Sequence, residues 1–246
     1  MDRATAPPAG FGPEPAVVER TVGATGGELV LRRSGDHFEI ISNGVFLMDT
    51  RDGASEREMV RACLAALPDG GRGAPGARVL IAGLGVGFSV REALDDPRVE
   101  RVRVVELEPA VVEWHRGPLG DAAGGVLADP RCAVVCADFG AWLAAAAEEA
   151  EDAGPWVDVV CLDTDNGPDW TVVEGNGRLY EPAALERLRR LLRPGGAVAF
   201  WSAMRAPDFA GLLEREFGAV ETIEVPARAG EPDVVYLART GPAPAA

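Results

Sequence analysis

Two hydrophobic patterns alternate along most of this chain. Short, nearly unbroken apolar runs at Arg78–Ala82, Val102–Glu106, Ala133–Cys136, Val157–Asp163 and Ala197–Ser202 are separated by amphipathic stretches. The stretches are Ser89–Leu94, Pro109–His115, Phe139–Ala150, Pro182–Leu192 and Pro207–Phe217. A run of strand length without polar alternation marks a strand buried on both faces, and the stretches between carry apolar residues at helical spacing. The alternation predicts an α/β fold, a doubly wound and mostly parallel seven-stranded sheet with helices on both faces. Val220–Val225 and Asp233–Leu237, joined by a short loop, imply one antiparallel edge strand.

The first part of the chain is patterned differently. Glu28–Arg33, His37–Ile41 and Val45–Met48 are strand-like, and Asn43-Gly44 is a strong hairpin signal. Ser55–Leu67 follows as a helix with Met59, Val60, Cys63, Leu64 and Leu67 on its apolar face, and Pro68–Ala77 is a Gly/Pro-rich linker. The expected organisation is a flexible leader over 1–27, a small N-terminal β-hairpin module with its helix over 28–67, and the doubly wound domain over 78–240. The tail Gly241–Ala246 is expected to be unstructured.

The densest chemical signal lies where the strand Val79–Ala82 runs into Gly83-Leu84-Gly85-Val86-Gly87. Glycines at the carboxyl end of a parallel strand let the backbone turn sharply and come close to a ligand. The next strand ends in Glu106, nineteen residues past the last of these glycines, where a carboxylate can hold both hydroxyls of a ribose. Dinucleotides and S-adenosyl sulfonium compounds both fit this layout. The following strand, Cys132–Cys136, runs into Ala137-Asp138-Phe139, and an acid there can take the exocyclic amine of an adenine, which favours the adenosyl sulfonium class. Asp138 is equally a helix N-cap for Phe139–Ala150, and one oxygen can cap while the other binds.

Composition narrows the setting. The 246 residues are 47% hydrophobic, enough for one sizeable core, and no apolar run approaches the roughly 18 residues of a membrane span. With no secretory signal visible, a cytoplasmic location is expected. Lys and Arg total 24 against 39 Asp and Glu, a formal charge of −15, which repels phosphate backbones and anionic membranes and attracts small cations. Neither nucleic acid nor membrane is therefore an expected partner, and a cationic small molecule is. A homodimer is left open. Four cysteines and two histidines give no metal signature, and the thiols read as reduced core or near-core groups. His115, near the end of a helix, is expected to meet the last carbonyls of that helix.

From about Glu28 to Arg239 the chain resembles the spermidine synthase family, polyamine aminopropyltransferases built on a Rossmann-like class I methyltransferase domain with an N-terminal β-hairpin module. The resemblance is carried by Asn43-Gly44, Glu58-Met59, Gly83 to Glu92, Val105-Glu106-Leu107-Glu108, Asp129-Pro130-Arg131, Ala137-Asp138, Val157 to Asp163 and Leu192-Arg193-Pro194-Gly195-Gly196. It implies that Gly83, Gly85 and Gly87 line a sulfonium cofactor, that Glu106 holds its ribose and Asp138 its adenine. It also implies that Asp163 lies between cofactor and acceptor amine, where a carboxylate can orient the amine and accept its proton. As a bland alternative, Asp163 caps the turn after its strand.

The departures from the family pattern fall on the polyamine side. Val86 stands where the family carries an acid for the amine of decarboxylated S-adenosylmethionine, Leu47 replaces a glutamine, and Glu56-Arg57 replaces a tyrosine-histidine pair. Intact S-adenosylmethionine thereby becomes as plausible a donor as the decarboxylated form. Arg57 either pairs with a carboxylate on donor or acceptor or is a solvated helix arginine beside Glu56 and Glu58. The seventeen residues Thr164 to Tyr180 are long for a connector and are expected to bind the acceptor. Asp165 would act as a second catalytic acid there, with Asn166, Trp170 and Tyr180 lining the pocket. The expected function is alkylation of a small-molecule amine. A non-catalytic adenosyl-binding or interaction protein is the rival, and a dehydrogenase is a weaker one.

Overall fold

A computed structural model describes residues 15–68, 76–228 and 230–241, and the chain divides into two units, Met1–Arg51 and Asp52–Ala246. The first carries strands β1 (Ala16–Val22), β2 (Glu28–Ser34), β3 (His37–Ser42) and β4 (Val45–Asp49) in one antiparallel sheet ordered β1-β2-β3-β4. Asn43 (φ 50°) and Gly44 (φ 79°) turn β3 into β4 as the hairpin signal predicts, and the Asn43 side chain accepts the Glu28 N–H at 2.9 Å. Inside this sheet the buried carboxylate of Glu39 takes Arg32 at 2.6 Å and Arg51 at 2.7 Å.

Strand β1 corrects the expected leader. Val17, Val18 and Val22 are exposed, so β1 buries no face and writes no alternating pattern. It is held to β2 by backbone pairing and by an Arg20–Glu28 ion pair at 2.6 Å. The remainder of the leader over residues 1–14, the centre of the linker at 69–75 and the tail over 242–246 lie outside the described residues.

The second unit begins with helix α1 (Ala54–Ala66). Helix α1 therefore belongs with the large sheet, a correction to the 28–67 module, because its buried face of Met59, Val60, Cys63 and Leu64 is spent on that sheet. It continues through β5 (Ala77–Ala82), α2 (Phe88–Asp95), β6 (Val99–Glu106), α3 (Pro109–Arg116), β7 (Cys132–Cys136), α4 (Phe139–Ala153) and β8 (Val157–Leu162). Then come α5 (Pro182–Leu191), β9 (Leu192–Ser202), α6 (Pro207–Phe217), β10 (Val220–Val225) and β11 (Asp233–Arg239). The seven strands are ordered β10-β11-β9-β8-β5-β6-β7.

Strand β11 is antiparallel to both neighbours, and β10, not β11, is the edge. The α6 crossover skips one position, and the return hairpin fills the gap. Burial follows the order: Val234 to Ala238 are all nearly inaccessible, while β10 buries only Val225. Leu80, Ala82, Val160, Leu162, Val198 and Phe200 pack under α4, α5 and α6. The alternate side chains face the other way, where α1 brings Cys63 within 4.0 Å of the Val160 carbonyl. Cys136 corrects the core-thiol expectation, since it is exposed near the outer edge of β7. No helix among the described residues is long and apolar enough to cross a membrane.

Candidate active site

Strand order brings the carboxyl ends of β5, β6, β7 and β8 side by side, with the reversal of winding between β5 and β8. This is the position where open α/β sheets receive ligands. The turn after β5 opens on a glycine that no other amino acid replaces easily. Gly83 has φ +94°, and a Cβ there would lie 2.0 Å from the carbonyl oxygen of Asp163. The β5 turn and the end of β8 thus touch backbone to backbone, sealed by the Asp163 N–H to the Ala82 carbonyl at 2.9 Å.

Glu106, buried at the end of β6, fastens the same turn. Its Oε2 accepts the Leu84 N–H at 2.7 Å and its Oε1 the Glu108 N–H at 2.8 Å. Burial pushes its carboxyl upward against the pull of these amides. Asp138 caps α4 through Oδ1, which accepts the Ala141 N–H at 2.7 Å. The same oxygen takes Arg178 at 2.5 Å, an ion pair between residues forty positions apart that no local pattern announces.

Asp163 follows β8 and is ringed by like charge. Burial, then repulsion from Glu56, raises its carboxyl from about 3.8 to about 8, with Asp233 and Glu106 adding to the rise. Ser89 Oγ, at a long 3.4 Å, is the hydroxyl opposing it. Glu56 and Asp233 are tied together by Ser55, whose Oγ lies 3.0 Å from Glu56 Oε2 and 2.7 Å from Asp233 Oδ2 and accepts Trp201 Nε1–H at 3.0 Å. Burial raises both of these carboxyls as well. The acid pair escaped the sequence reading because Ser55 and Asp233 are 178 residues apart. Glu56 did carry a signal, an acid at helical spacing from the apolar positions Met59, Val60 and Cys63 of α1.

The long loop is placed differently from expectation. Asp165 spends both oxygens on the loop itself, accepting from Asn166 N and Val172 N at 2.8 and 2.5 Å and from Val173 N and Asn176 Nδ2 at 3.0 and 2.9 Å. It is a staple, a correction to its expected catalytic role. Asn166 accepts the Ala203 N–H at 2.9 Å through its carbonyl, pinning the loop to the end of β9. Trp170 is exposed at 48%. Tyr180 is buried and packs edge-on to Phe209 at 5.4 Å, so it belongs to the core and lines no acceptor pocket. Arg57 lies over the Phe88 ring at 4.3 Å, a cation–π contact.

The family profile described as Spermine/spermidine synthase domain matches residues 59–203, more than half of the chain. The chain belongs to the spermine/spermidine synthase family. It is 37% identical over 171 residues to a polyamine aminopropyltransferase of Mycobacterium tuberculosis (strain ATCC 25618 / H37Rv), covering 70% of this chain and 30% of that one. Against polyamine aminopropyltransferase 1 of Streptomyces coelicolor the figures are 33% over 157 residues, 58% of this chain and 28% of the relative. The match therefore spans under a third of these relatives' length. A spermidine synthase crystallised with the transition-state analogue AdoDATO superposes with a TM-score of 0.70 at 18% identity, covering 92% of this chain and 74% of that one. Human methyltransferase-like protein 13 in complex with SAH gives 0.58 at 20% identity, covering 77% and 83%. These likenesses establish the α/β fold that the alternation of strands and helices predicts.

In this family member the elevated Asp163 has a consequence for stability. A carboxyl whose folded pKa exceeds its unfolded one favours folding below about pH 4, and that contribution is lost as pH rises through about 8. Asp163→Asn removes the loss. Its unfolding free energy in urea is expected to overtake that of the wild type progressively between pH 5 and 8.5; parallel curves across that range would show Asp163 to be ordinary.

Proposed function

We propose that this chain is a sulfonium-dependent alkyltransferase that holds an S-adenosyl donor on the glycine turn and Glu106 and receives an amine at Asp163. One observation carries the reading: a carboxylate ringed by acids stands in backbone contact with an adenosyl-type turn. Relatives named polyamine aminopropyltransferase support transfer of an aminopropyl group.

The residues suit such a donor. The turn presents no side chain at 83, 85 or 87, so a ligand can approach the backbone. The Glu106 oxygens accept backbone N–H groups and keep acceptor capacity for a ribose hydroxyl. Asp138 Oδ2 has no hydrogen-bond partner among the described residues and is open to an adenine amine. The donor's contribution is a carbon made electrophilic by positive sulfur. The chain's own contribution is to place the acceptor and manage its proton. Glu56, Asp163 and Asp233 attract a cationic amine, and its charge pulls Asp163 back toward the ionised form. The Asp163 carboxylate then takes one proton from the bound ammonium, and the freed nitrogen lone pair bonds to carbon while the carbon–sulfur pair returns to sulfur, releasing a neutral thioether.

Val86 sets the donor range. It is a buried aliphatic residue with no charge to offer an ammonium group, so intact S-adenosylmethionine is accepted alongside the decarboxylated form. The chain is to be incubated with each donor and a panel of amines and the thioether identified by mass. Methylthioadenosine reports transfer of the propyl arm, and S-adenosylhomocysteine reports methyl transfer. The wild type is expected to bind both donors with similar affinity, and Val86→Asp to shift preference toward the decarboxylated one. A wild type that already strongly prefers the decarboxylated donor would contradict this. Retained donor binding without turnover on any amine would favour a non-catalytic adenosyl-binding protein.

The donor assignment has a separate check. Glu106→Ala is expected to weaken methylthioadenosine binding about tenfold or more, the scale of a lost charge-assisted hydrogen bond. Calorimetry on the folded variant that returned wild-type affinity would remove Glu106 from the site.

A further inference from the structure

The imidazole of His115 is nearly inaccessible on α3, and its Nε2 lies 2.9 Å from the carbonyl oxygen of Gly85. A carbonyl only accepts, so Nε2 carries the proton and donates. The ring is also the floor of the turn: a Cβ on Gly87 would lie 3.0 Å from His115 Cε1, with Ala123 and Val126 just beyond. Gly87 has φ +92° and starts α2. Nδ1 has no partner among the described residues. A buried nitrogen without a partner is costly, and an apolar side chain of similar shape would fill the same space without that cost. What the imidazole supplies, and a phenyl ring would not, is the donor to Gly85.

We infer that His115 is a positioning residue for the donor, fixing the glycine turn from behind by holding the Gly85 carbonyl while its ring floors Gly87. Two anchors then act on the turn from opposite ends of one segment. Glu106 takes the Leu84 amide and His115 takes the next residue's carbonyl, so the Gly83–Leu84 and Gly85–Val86 peptides are each held by a buried side chain. Three residues at positive φ need such fixing, since glycine backbone otherwise samples many conformations at a cost in ordering on binding. This rests on the adenosyl reading of the turn for its effect on affinity, but not for its effect on the turn itself.

The test compares His115→Phe, which keeps a ring without a donor, with His115→Gln, whose amide nitrogen reaches as far as Nε2. Amide hydrogen exchange across residues 84–91 is to be measured on all three proteins without ligand, and methylthioadenosine affinity by calorimetry. His115→Phe is expected to exchange faster in this segment and to bind about tenfold more weakly, with His115→Gln restoring most of both. Wild-type protection and affinity in His115→Phe would overturn the inference, as would equal loss in both variants. If the wild type binds no adenosyl ligand, the reading of the turn fails while hydrogen exchange still decides whether His115 anchors it.

Discussion

Everything proposed for this chain depends on a contact with no side chain in it. Gly83 leaves β5 pressed against the Asp163 carbonyl, close enough that a Cβ would be 2.0 Å from that oxygen. The turn suited to a donor and the residue suited to a base are thereby fixed by the same backbone contact. Residues on separate flexible loops would have to pay ordering entropy to reach such proximity, whereas here the parallel pairing of β5 with β8 has already supplied it. Glu106 and His115 then hold the rest of the turn against that fixed point.

Charge is distributed in a way that complements this geometry. The chain has the aliphatic Val86 on the proposed donor side and gathers Glu56, Asp163 and Asp233 on the proposed acceptor side. Keeping several carboxylates half-buried together is unfavourable, and the raised Asp163, Glu56 and Asp233 carboxyls register that cost. A cationic ligand relieves it. In the proposed function this relief selects a charged amine over a neutral acceptor, for the same reason that the cluster weakens the empty fold at alkaline pH.

Patterning made most of the large sheet legible, because its strands are buried on both faces and write unbroken apolar runs. What escaped it was whatever leaves no local trace. Strand β1 buries nothing, and the position of β11 inside the sheet depends on a crossover that skips a neighbour. The contrast between Val234–Ala238, almost wholly apolar, and Val220–Val225, half of it polar, did carry that information. Strand-end spacing did place the glycines, Glu106 and Asp163 at the carboxyl ends of neighbouring strands. Asp165 and Tyr180 were misread because a long loop suggests binding, whereas a carboxylate can equally staple the loop and a tyrosine can seat it on the core. The Arg178 pair with Asp138 and the Ser55 link to Asp233 join residues far apart in sequence, which no periodicity encodes.

The central claim is that Asp163 manages the acceptor's proton without holding the donor. It is tested most directly by measuring donor affinity and turnover in one sample of folded Asp163→Asn protein. The account predicts affinity within about twofold of wild type and turnover lower by roughly a hundredfold or more, the scale of a lost general base. Undiminished turnover would contradict it.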